Sequence, residues 1–247
     1  MVTGQRSSDR DHSEDPSKPA SKTATFERPE DRYYDGERGD LLSWVGGWYR
    51  NVLEIGCGRG GNARWLRDHG AQHIVGIELD AASAAAASIV LDRVLAQPAE
   101  EALAVVEEQF DLIICADVLE HLLDPWTFVA ALGRNAAPDA TLVVSIPNIR
   151  FIRALWQIAA GDGFRYERSG IFDRTHLRFF TRGNVEDMLV AAGWIPDRWG
   201  HSTSLRQQRL REWLFRATRG RSGEYLAYQW FVAAHRRGAP TDRSPQP

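Results

Sequence analysis

Short apolar runs alternate with stretches of helical spacing through the first half of the chain. Asn51-Val52-Leu53-Glu54-Ile55 is a compact apolar run stopped by glycines, the pattern of a strand buried on both faces. Residues 62–69 set Ala63, Trp65 and Leu66 at helical spacing, and His73-Ile74-Val75-Gly76-Ile77 reads as a second strand. The alanine-rich stretch 81–87 is a strong helix former, and residues 93–96 make a short third strand. Pro98 can open a helix over 99–107, because a first helical turn tolerates proline. Residues 110–116 and 141–146 are the fourth and fifth strands, with a helix over 126–135 between them. Strands joined by helices predict an α/β fold, a Rossmann-like parallel sheet covered on both faces.

After Pro147 the rhythm breaks. Residues 151–160 look helical, and 161–178 mix glycine, aromatics and charge. The segment is long for a plain connection, so a lid or substrate-facing insertion is expected at about 148–180. Thr181 can cap a helix over 181–192. Residues 194–199 and 228–234 read as two late strands, with an arginine-rich helix over 206–219 between them.

Composition sets the boundaries. Residues 1–25 and 238–247 are polar with few apolar side chains and are expected to be disordered, which leaves one domain over 26–237. A net charge of −3 gives no electrostatic case for nucleic acid or a membrane as partner. The two cysteines, Cys57 and Cys115, sit inside core patterns, with no cluster that suits a disulfide or zinc. No apolar run reaches the roughly 20 residues of a membrane span, and the amino terminus lacks the apolar stretch of a signal peptide. A cytoplasmic location is the expectation.

The chemistry gathers where strands end. Gly56, Gly58 and Gly60 follow a strand and precede a helix, the context in which a glycine motif is meaningful. Gly56, Gly58 and Gly61 also satisfy the dinucleotide fingerprint, and Glu78 suits either cofactor, because a carboxylate there can accept from both ribose hydroxyls of an adenosine. Glu54 breaks the tie. A carboxylate beside the loop meets the ammonium of an amino-acid cofactor, whereas a pyrophosphate would be repelled. The run Phe110-Asp111-Leu112-Ile113-Ile114-Cys115-Ala116 leads into Asp117-Val118-Leu119-Glu120-His121, which places Asp117 to His121 at the sheet edge where ligands bind in open α/β folds.

Together, Val52-Leu53-Glu54-Ile55-Gly56-Cys57-Gly58-Arg59-Gly60, Val75-Gly76-Ile77-Glu78 and Asp117-Val118-Leu119-Glu120-His121 resemble the class I S-adenosylmethionine-dependent methyltransferases, over roughly residues 33 to 200. The resemblance implies a seven-stranded, mostly parallel sheet with one antiparallel strand, and S-adenosyl-L-methionine as cofactor. It assigns Gly56, Cys57, Gly58 and Gly60 with Glu54 to the methionyl part, Glu78 with Leu79 to the ribose, and Asp117 to the same crevice. The family often has Gly-Asp followed by an apolar residue and Glu after the third strand. Here Gln97-Pro98-Ala99-Glu100 stands there, leaving the backbone of Ala99 for the adenine. Tyr33-Tyr34, Ser145-Ile146-Pro147-Asn148 and the run from Ser169 to Thr181 resemble a bacterial branch found in cell-surface polysaccharide and secondary-metabolite pathways. That branch adds Tyr33 to the cofactor residues and suggests a small-molecule acceptor, such as a sugar or nucleotide-sugar.

Methyl transfer needs alignment, exclusion of water and, for a hydroxyl acceptor, removal of a proton. His121, His176 and Asp173 are the candidate bases. Against this, Glu120 and His121 can simply buttress the loop, and Asp173 can lock the insertion by pairing with Arg174 or Arg178. No Asp-x-x-x-Lys signature of a divalent ion stands out, so no metal is expected. Trp126, Trp156 and Phe164 can line a substrate pocket, although aromatics at helical spacing are usually core. From Ser202 onward nine arginines face three acidic residues, suited to an anionic substrate or to a solvated helix. The leading expectation is O-methylation of a sugar or natural-product hydroxyl. N- or C-methylation on the same scaffold, a non-catalytic cofactor-binding partner subunit and, more weakly, a nucleic-acid methyltransferase are the alternatives.

Overall fold

The computed structural model describes residues 38–161, 163–202 and 223–236. Its sheet has seven strands: β1 (Asn51–Ile55), β2 (His73–Glu78), β3 (Arg93–Ala96), β4 (Phe110–Ala116), β5 (Ala136–Pro147), β6 (Trp194–Ser202) and β7 (Gln229–Arg236). They lie in the order β3-β2-β1-β4-β5-β7-β6. Neighbours from β3 to β5 pair in parallel, and β7 runs antiparallel to both β5 and β6, so β7 is the one reversed strand.

Eight helices connect the described strands: α1 (Gly39–Val45), α2 (Ala63–Asp68), α3 (Ala81–Ala87), α4 (Ala99–Val105), α5 (Pro125–Leu132), α6 (Ile152–Ala160), α7 (Arg182–Ala191) and the single turn α8 (Gly223–Leu226). Leu41, Leu42 and Val45 of α1 pack with Leu66 of α2 and Ala87 of α3 over one sheet face, onto Val52, Ile74, Leu112 and Ile114. Leu103 of α4, Phe128 and Leu132 of α5 and Met188 and Leu189 of α7 cover the other, onto Leu53, Ile55, Ile77 and Ile113. Alternate residues of each strand feed opposite cores, which is why the strands read as unbroken apolar runs.

All seven expected strands are present. β5 starts earlier than its apolar pattern, because Ala136 pairs with Phe110 across a register shift. Thr181 caps α7 as expected, in a capping box with Asn184. Asp80 caps α3 through Ser83 N, and Asp124 caps α5 with Pro125 in its first turn. Two elements have no counterpart in the sequence reading, α1 and α8. The expected helix at 206–219, both polar tails and the Tyr33-Tyr34 pair lie outside the described residues. Among the described residues no helix is long and apolar enough to cross a membrane.

Between β5 and α7 the described residues 148–161 and 163–180 carry α6 and otherwise irregular chain. Phe151, Ala154, Ile171 and Phe172 make a small core of their own. Asn148, fully buried, pins the base of this segment: Nδ2 donates to the carbonyls of Glu224 (2.7 Å) and Ala227 (2.8 Å), and Oδ1 accepts from Arg150 N (3.1 Å).

Candidate active site

β1 lies between β2 and β4, so its carboxyl end is the point where the strand order reverses and a crevice opens. The chain leaves β1 through residues 56–61, with Gly56, Gly58 and Gly60 at φ of 69°, 53° and 81°. Gly56 and Gly60 are doubly constrained. A Cβ on Gly56 would stand 2.8 Å from Val118 Cγ2, and one on Gly60 2.5 Å from Val90 Cγ2. Gly56 N and Cys57 N donate to Ile77 O of β2, at 2.8 and 3.1 Å.

Two buried carboxylates flank this loop. Glu78 accepts from Gly58 N at Oε2 and from Asp80 N at Oε1, both at 2.9 Å. A carboxylate has about four acceptor positions, so capacity for further donors remains. Glu54 accepts from Asn62 Nδ2 at 2.6 Å through Oε1, while its Oε2 is buried without a hydrogen-bond partner. Burial pushes the Glu54 carboxyl up to about 7; the Asn62 bond opposes this and the charge of Glu78 adds to it. An orphaned carboxylate oxygen beside a glycine turn fits an ammonium, and Glu78 retains room for ribose hydroxyls. The residues present therefore suit S-adenosylmethionine.

The sequence reading missed Arg38, Asn62 and Gln229. Arg38 N donates to Asn62 Oδ1 at 2.7 Å, and the Arg38 guanidinium reaches Asp117, Ser145 Oγ (3.1 Å) and Gln229 Oε1 (3.2 Å). Gln229 Nε2 closes the set by donating to Asp117. Glu54, Asn62, Arg38 and Asp117 thus form one hydrogen-bonded line across the crevice. Asp117 sits at φ 56°, a left-handed conformation that aspartate tolerates better than most residues. No spacing rule could have picked out Arg38, because it precedes a helix the pattern did not reveal.

Residues 13–195 match the family described as Methyltransferase domain. The chain belongs to that family. Among curated relatives of this chain, the Ubiquinone biosynthesis O-methyltransferase of Psychrobacter arcticus is 29% identical over 154 residues, which is 59% of this chain and 59% of that protein. The chain thus spans well under two thirds of that relative's length. Among solved structures, a SAM dependent methyltransferase from Archaeoglobus fulgidus superposes with a TM-score of 0.57 at 16% identity, over 83% of this chain and 97% of that one. The magnesium protoporphyrin IX methyltransferase of Synechocystis with bound SAH gives 0.54 at 17%, covering 84% of each. At these identities the structures establish the shared fold.

The remaining expected residues fall into two groups. Cys57 turns its side chain inward against Gly76, where a Cβ would come within 2.6 Å of its sulfur, so only its backbone faces the loop. Burial pushes its thiol up, which makes it inert. Leu79 is exposed at the end of β2, and Ala99 opens α4 with no side-chain cap before it. Tyr33 lies outside the described residues.

His121, His176 and Asp173 come together across the crevice mouth. Leu119–His121 forms one turn of 3-10 helix after β4, and the segment 163–180 docks on it: Leu177 N and Arg178 N donate to Glu120 O at 2.8 and 3.0 Å. The rings of His121 and His176 lie 4.8 Å apart, edge to face. Burial lowers the pKa of His121, and the His176 ring lowers it further. Asp173 accepts from the N–H and hydroxyl of Thr175, at 2.8 and 2.7 Å. Among the described residues the Asp173 carboxylate is held by this local turn on Thr175 rather than by an ion pair with Arg174 or Arg178. Burial would raise the Asp173 carboxyl, but the Thr175 bonds and the two histidines hold it below the usual range.

Trp126, Trp156 and Phe164 correct the reading of helical aromatics as core, since all three are exposed. On α6 only Ala154 is fully buried, in the segment's own small core with Ile171 and Phe172, while Trp156 stands exposed.

Proposed function

We propose that this protein transfers the methyl group of S-adenosylmethionine to a hydroxyl oxygen of a small molecule. The observation that carries the cofactor reading is the buried, unpartnered Oε2 of Glu54 beside the glycine loop at the switch point. When bound, S-adenosylmethionine supplies a methyl group on a sulfonium. Glu54 meets the ammonium and gives up its proton to do so. Glu78 accepts the ribose hydroxyls, and the backbone of residues 56–60 lies along the methionyl part. The Ala99 N–H, free of a helical partner in the first turn, faces the adenine.

The acceptor enters from the side of the Glu120, His121 and His176 cluster, where its hydroxyl is activated. Oxygen is favoured as the methylated atom by the Psychrobacter relative, an O-methyltransferase. The exposed Trp126, Trp156, Phe164 and Tyr166 favour a natural product with a ring or apolar body over a bare sugar.

The test is calorimetric titration with S-adenosylhomocysteine, followed by an acceptor panel with labelled cofactor. The wild type binds, and Glu78→Ala weakens binding about tenfold or more, as loss of hydrogen bonds to a charged group requires. Unchanged affinity in Glu78→Ala removes the ribose assignment. A label found on nitrogen or carbon of the product overturns the oxygen reading.

A further inference from the structure

Glu120 is the most exceptional polar residue of the described fold. It is 1% exposed, and neither carboxylate oxygen has a hydrogen-bond partner. A buried carboxylate left so is strongly disfavoured unless something neutralises it. Arg38, whose charge acts on it, is engaged with Asp117. His176 Nε2 lies 4.0 Å from Glu120 Oε1, beyond hydrogen-bond reach.

The two histidines supply the second observation. His121 Nδ1 lies 3.2 Å from Thr175 O, and His176 Nδ1 lies 3.0 Å from Ile171 O. A carbonyl oxygen only accepts, so each Nδ1 carries the proton, and each neutral ring keeps its lone pair on Nε2. Imidazoles that bind metals are held in this way, with the far nitrogen donating to a carbonyl or carboxylate. One donor atom from each of Glu120, His121 and His176 lies within 4.8 Å of the other two.

We propose that Glu120, His121 and His176 bind a divalent transition-metal ion where the segment 163–180 docks on the sheet. Two imidazoles and a carboxylate select zinc, manganese, cobalt or iron(II) over magnesium or calcium. Donors about 2.0–2.2 Å from a tetrahedral ion stand about 3.3–3.5 Å apart, so these atoms draw in by about 1 Å on binding. Glu120 and His121 belong to the turn after β4 and His176 to that segment, so the ion ties the two together. Three protein ligands leave a position open for an acceptor oxygen. Resting on the methyltransferase reading, the ion lowers the pKa of that hydroxyl; its proton passes to solvent water, and the oxygen pair is freed to take the methyl group. The histidines are then ligands rather than bases. The sequence expectation of no metal looked for an Asp-x-x-x-Lys spacing, and this set instead joins a sheet edge to a distant loop.

The full chain, stripped by chelation, is titrated with Co²⁺ and followed by visible absorption. The expected result is one ion per chain, with the d–d bands of a nitrogen- and oxygen-ligated site, competed away by Zn²⁺. Outer partners of metal ligands are worth about 10–100-fold in affinity, so Glu120→Gln and His176→Ala each weaken Co²⁺ by more than about tenfold. Both retain S-adenosylhomocysteine binding, which reports that they are folded. Absent d–d bands, equal affinity in His176→Ala, or methyl transfer undiminished after chelation overturns the ion site. Co²⁺ bound at these residues by a chain that does not bind S-adenosylhomocysteine supports the ion site and overturns the methyltransferase reading.

Discussion

At the scale of single residues, Glu54 carries opposite demands. It is buried, half-paired and pushed up to about 7. Its folded pKa is thus raised above the ordinary carboxylate value of about 4.3. The folded state binds the proton more tightly, so this contribution to stability is fully present below about 4.3 and is lost as pH rises through 7. Glu54→Gln removes the charge and keeps the Asn62 contact. The ligand-free variant is therefore expected to melt higher than wild type at pH 8, by about 3–4 kcal/mol at most, and to match it near pH 4. With S-adenosylhomocysteine the order reverses, because the wild type gains an ammonium partner and the variant does not. Thermal melts at the two pH values, with and without ligand, check both halves; a pH-independent difference would mean that Glu54 is not the titrating group. The glycine loop, Glu54 and Glu78 were legible in the sequence because backbone turns and strand ends fix their positions locally. Arg38 and Asn62 were not, since their roles come from partners such as Asp117 and Glu54 that only the fold brings near.

At the scale of elements, the strand pattern was readable because each strand is buried on both faces. α1 escaped because seven residues with three buried positions leave too short a period. The break in rhythm after Pro147 was readable, but not the docking of that segment through Glu120 O and Asn148. Asn148 is the joint: both hydrogens of its amide are donated to the α8 region, and its oxygen holds Arg150 N. Asn148→Ala strands one buried and one part-buried carbonyl and is expected to destabilise the fold by about 2–4 kcal/mol. Asn148→Asp is expected to fare no better, because a carboxylate has no hydrogens to donate. Limited proteolysis should then cut within residues 148–180 before the sheet is attacked. Cleavage rates equal to wild type would show that the segment is held elsewhere.

At the scale of the whole molecule, the two sides of the crevice differ in how they were built. The cofactor side is made of strand ends and backbone, which sequence patterns record. The proposed acceptor side lies where the 3-10 turn after β4 meets the segment 163–180, and exposed aromatics stand on that segment and on α5 and α6. Trp126 stands beside this junction: its ring sits 6.2 Å from Phe180, and the Arg178 guanidinium lies 5.9 Å over it. Half of the residue is exposed, so it adds little to the core and is free to offer its face to a ligand. Trp126→Ala is therefore expected to leave stability within about 1 kcal/mol and S-adenosylhomocysteine affinity unchanged, while raising the acceptor KM several-fold. Loss of a contact made equally in ground and transition state leaves kcat nearly intact. A fall in kcat at constant KM would instead place the ring against the reacting atoms, and no change in either would return Trp126 to the solvated surface.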